Sequence, residues 1–142
     1  SIQMNLQELQ TVVYHKLNLK IFWLNNEGYH SMRQTQTNLF HANFSGVDKD
    51  SGISFPSAKK IAAAYDLPYF CIESTVGLQE KLQELLARDG AFICEVLLDK
   101  RQFFAPKLSS KVYPDGTIVS PSLEDMYPFI PEEELKKDMW KD

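Results

Sequence analysis

Two carboxamides, a carboxylate and a glycine, Asn25-Asn26-Glu27-Gly28, close the apolar run Ile21-Phe22-Trp23-Leu24 and lead into Tyr29 and His30. Carboxamide and backbone carbonyl oxygens are hard donors of the kind that hold Mg²⁺. A polar cluster at the carboxyl end of a strand also lies where ligands bind in open α/β sheets. The segment reads either as a metal and phosphate site or as an ordinary Asn-rich turn. Glu27 reads as a solvent-facing turn residue. His30 reads as an acid or base working near neutral pH, or as a helix cap exposed to solvent. His15 and His41 have no visible partner and read as surface residues.

Those residues have to be positioned by elements whose signals lie around them. Upstream, Leu6, Leu9, Val13 and Leu17 repeat at helical spacing, so an amphipathic helix starting at the first residues is expected. Lys20 to Leu24 is a strand, and Tyr29 to about Thr37 continues as a short helix, which puts the Asn-Asn-Glu-Gly turn at a helix N-terminus. Orphan N–H groups and the helix dipole favour an anion there. Residues 38–55 show no period and are expected to form a long surface loop. Pro56-Ser57 opens a helix through Tyr65, and Asp66-Leu67-Pro68 ends it before the strand Tyr69 to Glu73. Ser74-Thr75 is expected to cap a helix with Leu78, Leu82, Leu85 and Leu86 on its apolar side. Gly90 stops it before the apolar strand Ala91 to Leu98. Strands that are apolar throughout and alternate with helices predict an α/β fold, a parallel sheet with helices on both faces.

Beyond Asp99 the composition changes, with five of the seven prolines between Pro106 and Pro131 and an Asp115-Gly116 turn. Residues 1–100 are therefore read as a partial α/β domain. Residues 101–142 are read as an extended C-terminal arm closed by a short terminal helix at Pro131-Glu132-Glu133-Glu134. With 142 residues and 44% hydrophobic content the chain can bury one core. A net charge of −4 provides no basic stripe for nucleic acid. No apolar run approaches the ~20 residues of a membrane span. Cys71 and Cys94 sit singly in apolar runs and are expected as reduced, packed thiols in a cytoplasmic protein.

Ser1 to Gln10 followed by Asn25-Asn26-Glu27-Gly28-Tyr29 resembles the second half of the thiamine diphosphate-binding motif, in which Gly-Asp-Gly is followed after a spacer by Asn-Asn. The resemblance continues through Gly52-Ile53-Ser54-Phe55-Pro56, Ala62-Ala63-Ala64-Tyr65, Ile93-Cys94-Glu95-Val96, Phe104-Ala105-Pro106-Lys107 and Leu123-Glu124-Asp125-Met126-Tyr127-Pro128-Phe129. Among thiamine diphosphate enzymes the pattern is most similar to the acetolactate synthase-like group. The Gly-Asp-Gly triplet is missing, so the resemblance implies a motif aspartate two positions before Ser1 and a chain that is a fragment of a cofactor-binding domain.

The resemblance implies thiamine diphosphate and Mg²⁺ as cofactors. It carries over the Asn26 side-chain oxygen and the Gly28 carbonyl as metal ligands, alongside the absent aspartate and two phosphate oxygens. Ser1 and Ile2 match positions that contact the diphosphate. Tyr29 either packs over the phosphates or seats the helix as a core aromatic. His30 falls, with Ser31, Met32 and Arg33, near the reacting end of the cofactor. Acetolactate synthase proper has Gly-Met-Val and a nearby Gln-Trp here, whereas this chain has Gly28-Tyr29-His30 and Arg33-Gln34-Thr35, which leaves the acceptor open.

The implied activity is 2-keto acid carboligation, with a 2-keto acid decarboxylase or a noncatalytic α/β interaction module as alternatives. The catalytic glutamate of such enzymes comes from a separate domain of a partner subunit in a homo-oligomer. No catalytic residue is therefore assigned in this chain, which alone is expected to be inactive and to bind the cofactor weakly or not at all.

Overall fold

The computed structural model describes residues 2–139. A 3₁₀ turn over Ile2–Asn5 leads to α1 (Glu8–Tyr14), β1 (Lys20–Asn25) and α2 (His30–Leu39). After a loop come α3 (Ala58–Ala64), β2 (Tyr69–Ile72), α4 (Leu78–Leu86) and β3 (Phe92–Leu97). The strands make a parallel sheet in the order β1-β3-β2. Trp23 and Cys71 both lie in register with Glu95, and Phe22 and Phe70 with Cys94.

Alternation along β3 divides the core between the two faces. Ile93 faces Leu9 of α1 and Ala62 of α3, with Leu67 completing that cluster, while Phe92 and Cys94 face Leu85 of α4 together with Ile72. Helices therefore cover both faces, as the alternation predicts. Each fully buried Ile, Leu or Phe contributes about 1.5–3 kcal/mol. The small Ala58 and Ala62, both buried, bring α3 close to the sheet.

Several local expectations are corrected. The first helix is shorter than its spacing implied. It begins at Glu8 and ends where Lys16 takes a left-handed φ of 51°, so Leu17 falls after the helix and is exposed. Leu9 and Val12 are its buried residues. Ser74-Thr75 forms a turn in which Leu78 N–H donates to the Thr75 carbonyl at 3.2 Å, and the residue before the helix is Gly77 at φ 64°. β1 and β2 are edge strands and mostly half-buried, so only β3 is packed on both faces as expected.

The expected loop begins two residues later, after Leu39, and carries a 3₁₀ turn at Lys49–Ser51 with a reciprocal cap from Asp48; it buries Val47 completely. Past β3 the chain forms a small antiparallel pair, β4 (Lys111–Val112) with β5 (Ile118–Val119), around the expected Asp115-Gly116 turn. It closes with α5 (Glu132–Asp138). Among the described residues no helix is long and apolar enough to cross a membrane.

Candidate functional site

The turn after β1 is built by Asn25. Its side-chain Oδ1 accepts from the Glu27 N–H at 2.9 Å, its Nδ2 donates to Glu95 Oε1 at 2.6 Å, and its carbonyl accepts from Leu98 N–H at 2.9 Å. The polar side chain thereby fastens the turn to the next strand, as Asn does when it closes a turn on its own backbone. Glu27, not Gly28, takes the left-handed conformation, at φ 51°. Its carboxylate is exposed, as expected, and pairs with Lys100.

Gly28 is small for a different reason. A Cβ there would lie 2.2 Å from Arg33 Nη2 and 2.5 Å from the Val47 carbonyl oxygen. Arg33, expected near the reacting end of a cofactor, is buried beneath the turn. Nη1 donates to the carbonyls of Asn26 (3.4 Å) and Lys100 (3.5 Å), and Nη2 to the Glu27 carbonyl and to Asp48 Oδ2, each at 3.3 Å. The Ser51 hydroxyl, and then the Arg33 guanidinium, hold the Asp48 carboxyl below its ordinary value.

Helix α2 starts with a bond from Arg33 N–H to the Tyr29 carbonyl at 2.9 Å, while Tyr29 N–H donates to Val47 O at 2.8 Å. Within the described residues the N–H groups of His30, Ser31 and Met32 have no acceptor, and nothing donates to the Asn26 side chain or the Gly28 carbonyl. Free donors and free acceptors thus adjoin at one helix N-terminus.

They border a cavity of about 550 Å³ lined by Ile2, Asn26, Gly28, Tyr29 and His30 and walled by Trp23, Phe55 and Phe104. Five of the six candidate residues are therefore brought together. Ser1 lies outside the described residues. Tyr29 is exposed and meets Phe55 edge-to-face at 5.2 Å; it stands at the N-cap of α2 without a side-chain capping bond, outside the core.

His30 is corrected. It is not a solvent-exposed cap but 3% exposed, packed edge-on against Phe104 at 4.7 Å, with neither ring nitrogen hydrogen-bonded. Burial, then the charge of Arg33, pushes its pKa down, which keeps the imidazole neutral. The arm is tied to the same helix: Gln34 Nε2 donates to the Phe104 carbonyl at 3.2 Å, and Lys107 Nζ to Gln34 Oε1 at 3.3 Å. His15 and His41 are exposed and Cys94 is a buried free thiol, as expected, while Cys71 is half-buried.

Sequence reasoning passed over Glu95, which also lines the cavity and accepts from both Asn25 and the Tyr69 hydroxyl. Its signal was a lone carboxylate in the middle of the apolar run Phe92 to Leu97. Among the described residues no three His, Cys, Asp or Glu side chains converge as a metal site. The arrangement offers neutral oxygens and N–H groups, which suit an ion that arrives already paired with phosphate oxygens.

Comparison with known proteins shows which family the chain belongs to. Residues 1–96 match the family described as thiamine pyrophosphate enzyme, C-terminal TPP binding domain. The chain is 27% identical over 114 residues to the chloroplastic acetolactate synthase of Arabidopsis thaliana, covering 78% of this chain and 17% of that protein. It is 28% identical over 114 residues to the acetolactate synthase isozyme 1 large subunit of Escherichia coli strain K12, covering 80% and 18%. With the large subunit of Pyropia yezoensis it shares 32% over 99 residues, covering 70% and 16%. The chain thus spans under a fifth of the length of these curated relatives. With the matched span covering the sheet, its helices and the turn that borders the cavity, the chain belongs to the C-terminal thiamine pyrophosphate-binding domain family of thiamine pyrophosphate enzymes.

Proposed function

We propose that this chain is part of a thiamine diphosphate- and Mg²⁺-dependent enzyme acting on 2-keto acids, an acetolactate synthase-like carboligase, and that it holds the diphosphate end of the cofactor through the metal. The observation that carries the reading is the pairing of uncommitted acceptors, the Asn26 side chain and the Gly28 carbonyl, with the uncommitted N–H groups that open α2. A metal between protein oxygens and phosphate oxygens lets an acidic chain bind a polyanion. The donors at α2 complement the phosphates directly.

In this reading Asn26 and Gly28 are the metal ligands, and the coordination is completed by the diphosphate and by a carboxylate outside the described residues. His30 contributes its backbone N–H, Tyr29 and Ile2 flank the phosphates, and Ser1 adds its hydroxyl. When bound, the cofactor supplies the carbanion that reacts with the keto carbonyl, and the protein supplies position and electrostatics. Trp23, Phe55 and Phe104 supply the apolar walls of the cavity. Glu95 holds Asn25 and Tyr69; the acid that activates the cofactor is assigned, from the family resemblance, to a partner subunit of a homo-oligomer. Residues 1–100 serve as the binding half and 101–142 as the arm over it, in a cytoplasmic protein.

Calorimetry on the full natural protein tests this. Asn26→Ala is expected to weaken Mg²⁺-dependent thiamine diphosphate binding by about 10-fold or more, and unchanged affinity would remove the assignment. Supplying pyruvate and analysing the product separates a carboligase, which accumulates acetolactate, from a decarboxylase, which accumulates acetaldehyde. The 142-residue chain alone is expected to be inactive and to bind the cofactor weakly.

A further inference from the structure

We propose that Arg33 is a positioning residue for the metal-binding turn, holding the Asn26 and Glu27 carbonyls inward so that the Asn26 side chain and the Gly28 carbonyl are left for the ion. The inference rests on the metal role proposed above for Asn26 and Gly28.

A buried arginine is ordinarily accounted for by an ion pair, and Asp48 supplies one here. Asp48 takes a single contact, however, while Nη1 and Nη2 also serve three backbone carbonyls drawn from two separate stretches, Asn26-Glu27 and Lys100. The planar fork of a guanidinium can address acceptors in several directions at once, which an ammonium on a flexible stem cannot. The chain has also made room for it: the Gly28 Cα lies so near the guanidinium that a methyl group there would overlap Nη2.

Two consecutive peptide units thus have their carbonyls committed to one buried cation. The third, Gly28, has its carbonyl uncommitted and its N-terminal neighbour Glu27 fixed in a left-handed conformation. The change from committed carbonyls at Asn26 and Glu27 to a free one at Gly28 takes place directly over the guanidinium of Arg33, which is 6% exposed. The same residue ties the turn to the segment after β3 and to the loop that buries Val47. The ion site is therefore coupled to both neighbouring loops through one side chain.

Arg33→Met and Arg33→Lys in the full natural protein test this by the Mg²⁺ concentration that half-saturates thiamine diphosphate binding, followed by calorimetry, and by thermal unfolding of the metal-free protein. Both variants are expected to need roughly 10-fold or more Mg²⁺, with Arg33→Lys melting near wild type. Should Arg33→Met fail to fold, Arg33→Lys, which keeps the charge and the buried stem, carries the test. An unchanged midpoint in the folded variant overturns the inference, including when the melting temperature alone falls, because that is the signature of a purely structural arginine. If the wild-type protein itself shows no Mg²⁺-dependent binding, the cofactor reading has failed before Arg33 is at issue, and the inference goes with it.

Discussion

Asn25 and Glu95, 70 positions apart in the chain, are joined by a 2.6 Å hydrogen bond from Nδ2 to Oε1, from the last residue of β1 to the middle of the adjacent parallel strand β3. The bond links the turn after β1 to the centre of the sheet, because the same Asn25 side chain accepts from the Glu27 N–H. The two asparagines therefore divide the work. Asn25 fixes the turn, and Asn26 keeps its side chain uncommitted at the cavity.

Removing the charge from that link should be felt at the turn. In Glu95→Gln one of the two acceptor oxygens becomes a donor: turned toward Asn25 it opposes Nδ2, and turned toward Tyr69, whose hydroxyl can accept, it leaves Asn25 a neutral acceptor, so the Asn25 link is lost or weakened either way. A cost of about 1–2 kcal/mol in stability is expected for a charge-assisted bond in a half-buried setting. Tyr69→Phe empties only the far oxygen. Urea unfolding should show both variants destabilised, while calorimetry should show weaker Mg²⁺-dependent cofactor binding in Glu95→Gln alone. Equal binding losses in the two would show that the effect is general loosening of the sheet.

The layers of the fold were legible because alternation of apolar strands with helices is a signal carried by many residues at once. Ile93, Leu85 and Ala62 fall where their periods place them. The turn was legible as a cluster, since Asn25, Asn26 and Gly28 are adjacent in the chain. Its support was not, because Arg33, Asp48, Glu95 and Lys100 reach it from other elements and no local period marks them. The reason for glycine at position 28 was likewise hidden, because the side chain that leaves no room for a Cβ lies five residues on. The burial of His30 went unseen because Phe104 covers it from beyond β3.

Gly28→Ala should expose that packing. The added methyl group meets both Arg33 Nη2 and the Val47 carbonyl well inside contact distance. Overpacking of this kind costs about 1–3 kcal/mol. The Arg33→Ala/Gly28→Ala pair should recover part of that stability, since the side-chain clash disappears and the carbonyl clash stays. Denaturation of the four proteins measures the coupling, and strict additivity would place the Gly28 cost wholly on the Val47 backbone.

Acid should act on the loop through Asp48. Its folded pKa is depressed, by Ser51 and then Arg33, so the folded state favours the carboxylate. The stabilisation is present above the unfolded value of about 3.9 and is lost as pH falls through the depressed folded value. Stability of the wild-type chain should therefore drop more steeply below pH ~4 than that of Asp48→Asn, which lacks the titrating group. Parallel curves for the two in thermal unfolding across that range would show that Asp48 is not the source.

His30 separates side-chain from main-chain contributions at the start of α2. Its imidazole is buried with both nitrogens unpartnered and is kept neutral by burial and by the Arg33 charge. An unsatisfied buried polar group costs about 1–3 kcal/mol, and replacing it with an apolar group of similar shape recovers that loss. His30→Leu is accordingly expected to melt at or above the wild-type temperature, with contact to Phe104 retained. Because the backbone N–H is the group aligned with the other open donors of the helix, cofactor affinity should stay at the wild-type level. A strong loss of binding in a stable His30→Leu protein would instead show that the ring itself reaches the ligand, through a displacement of Phe104.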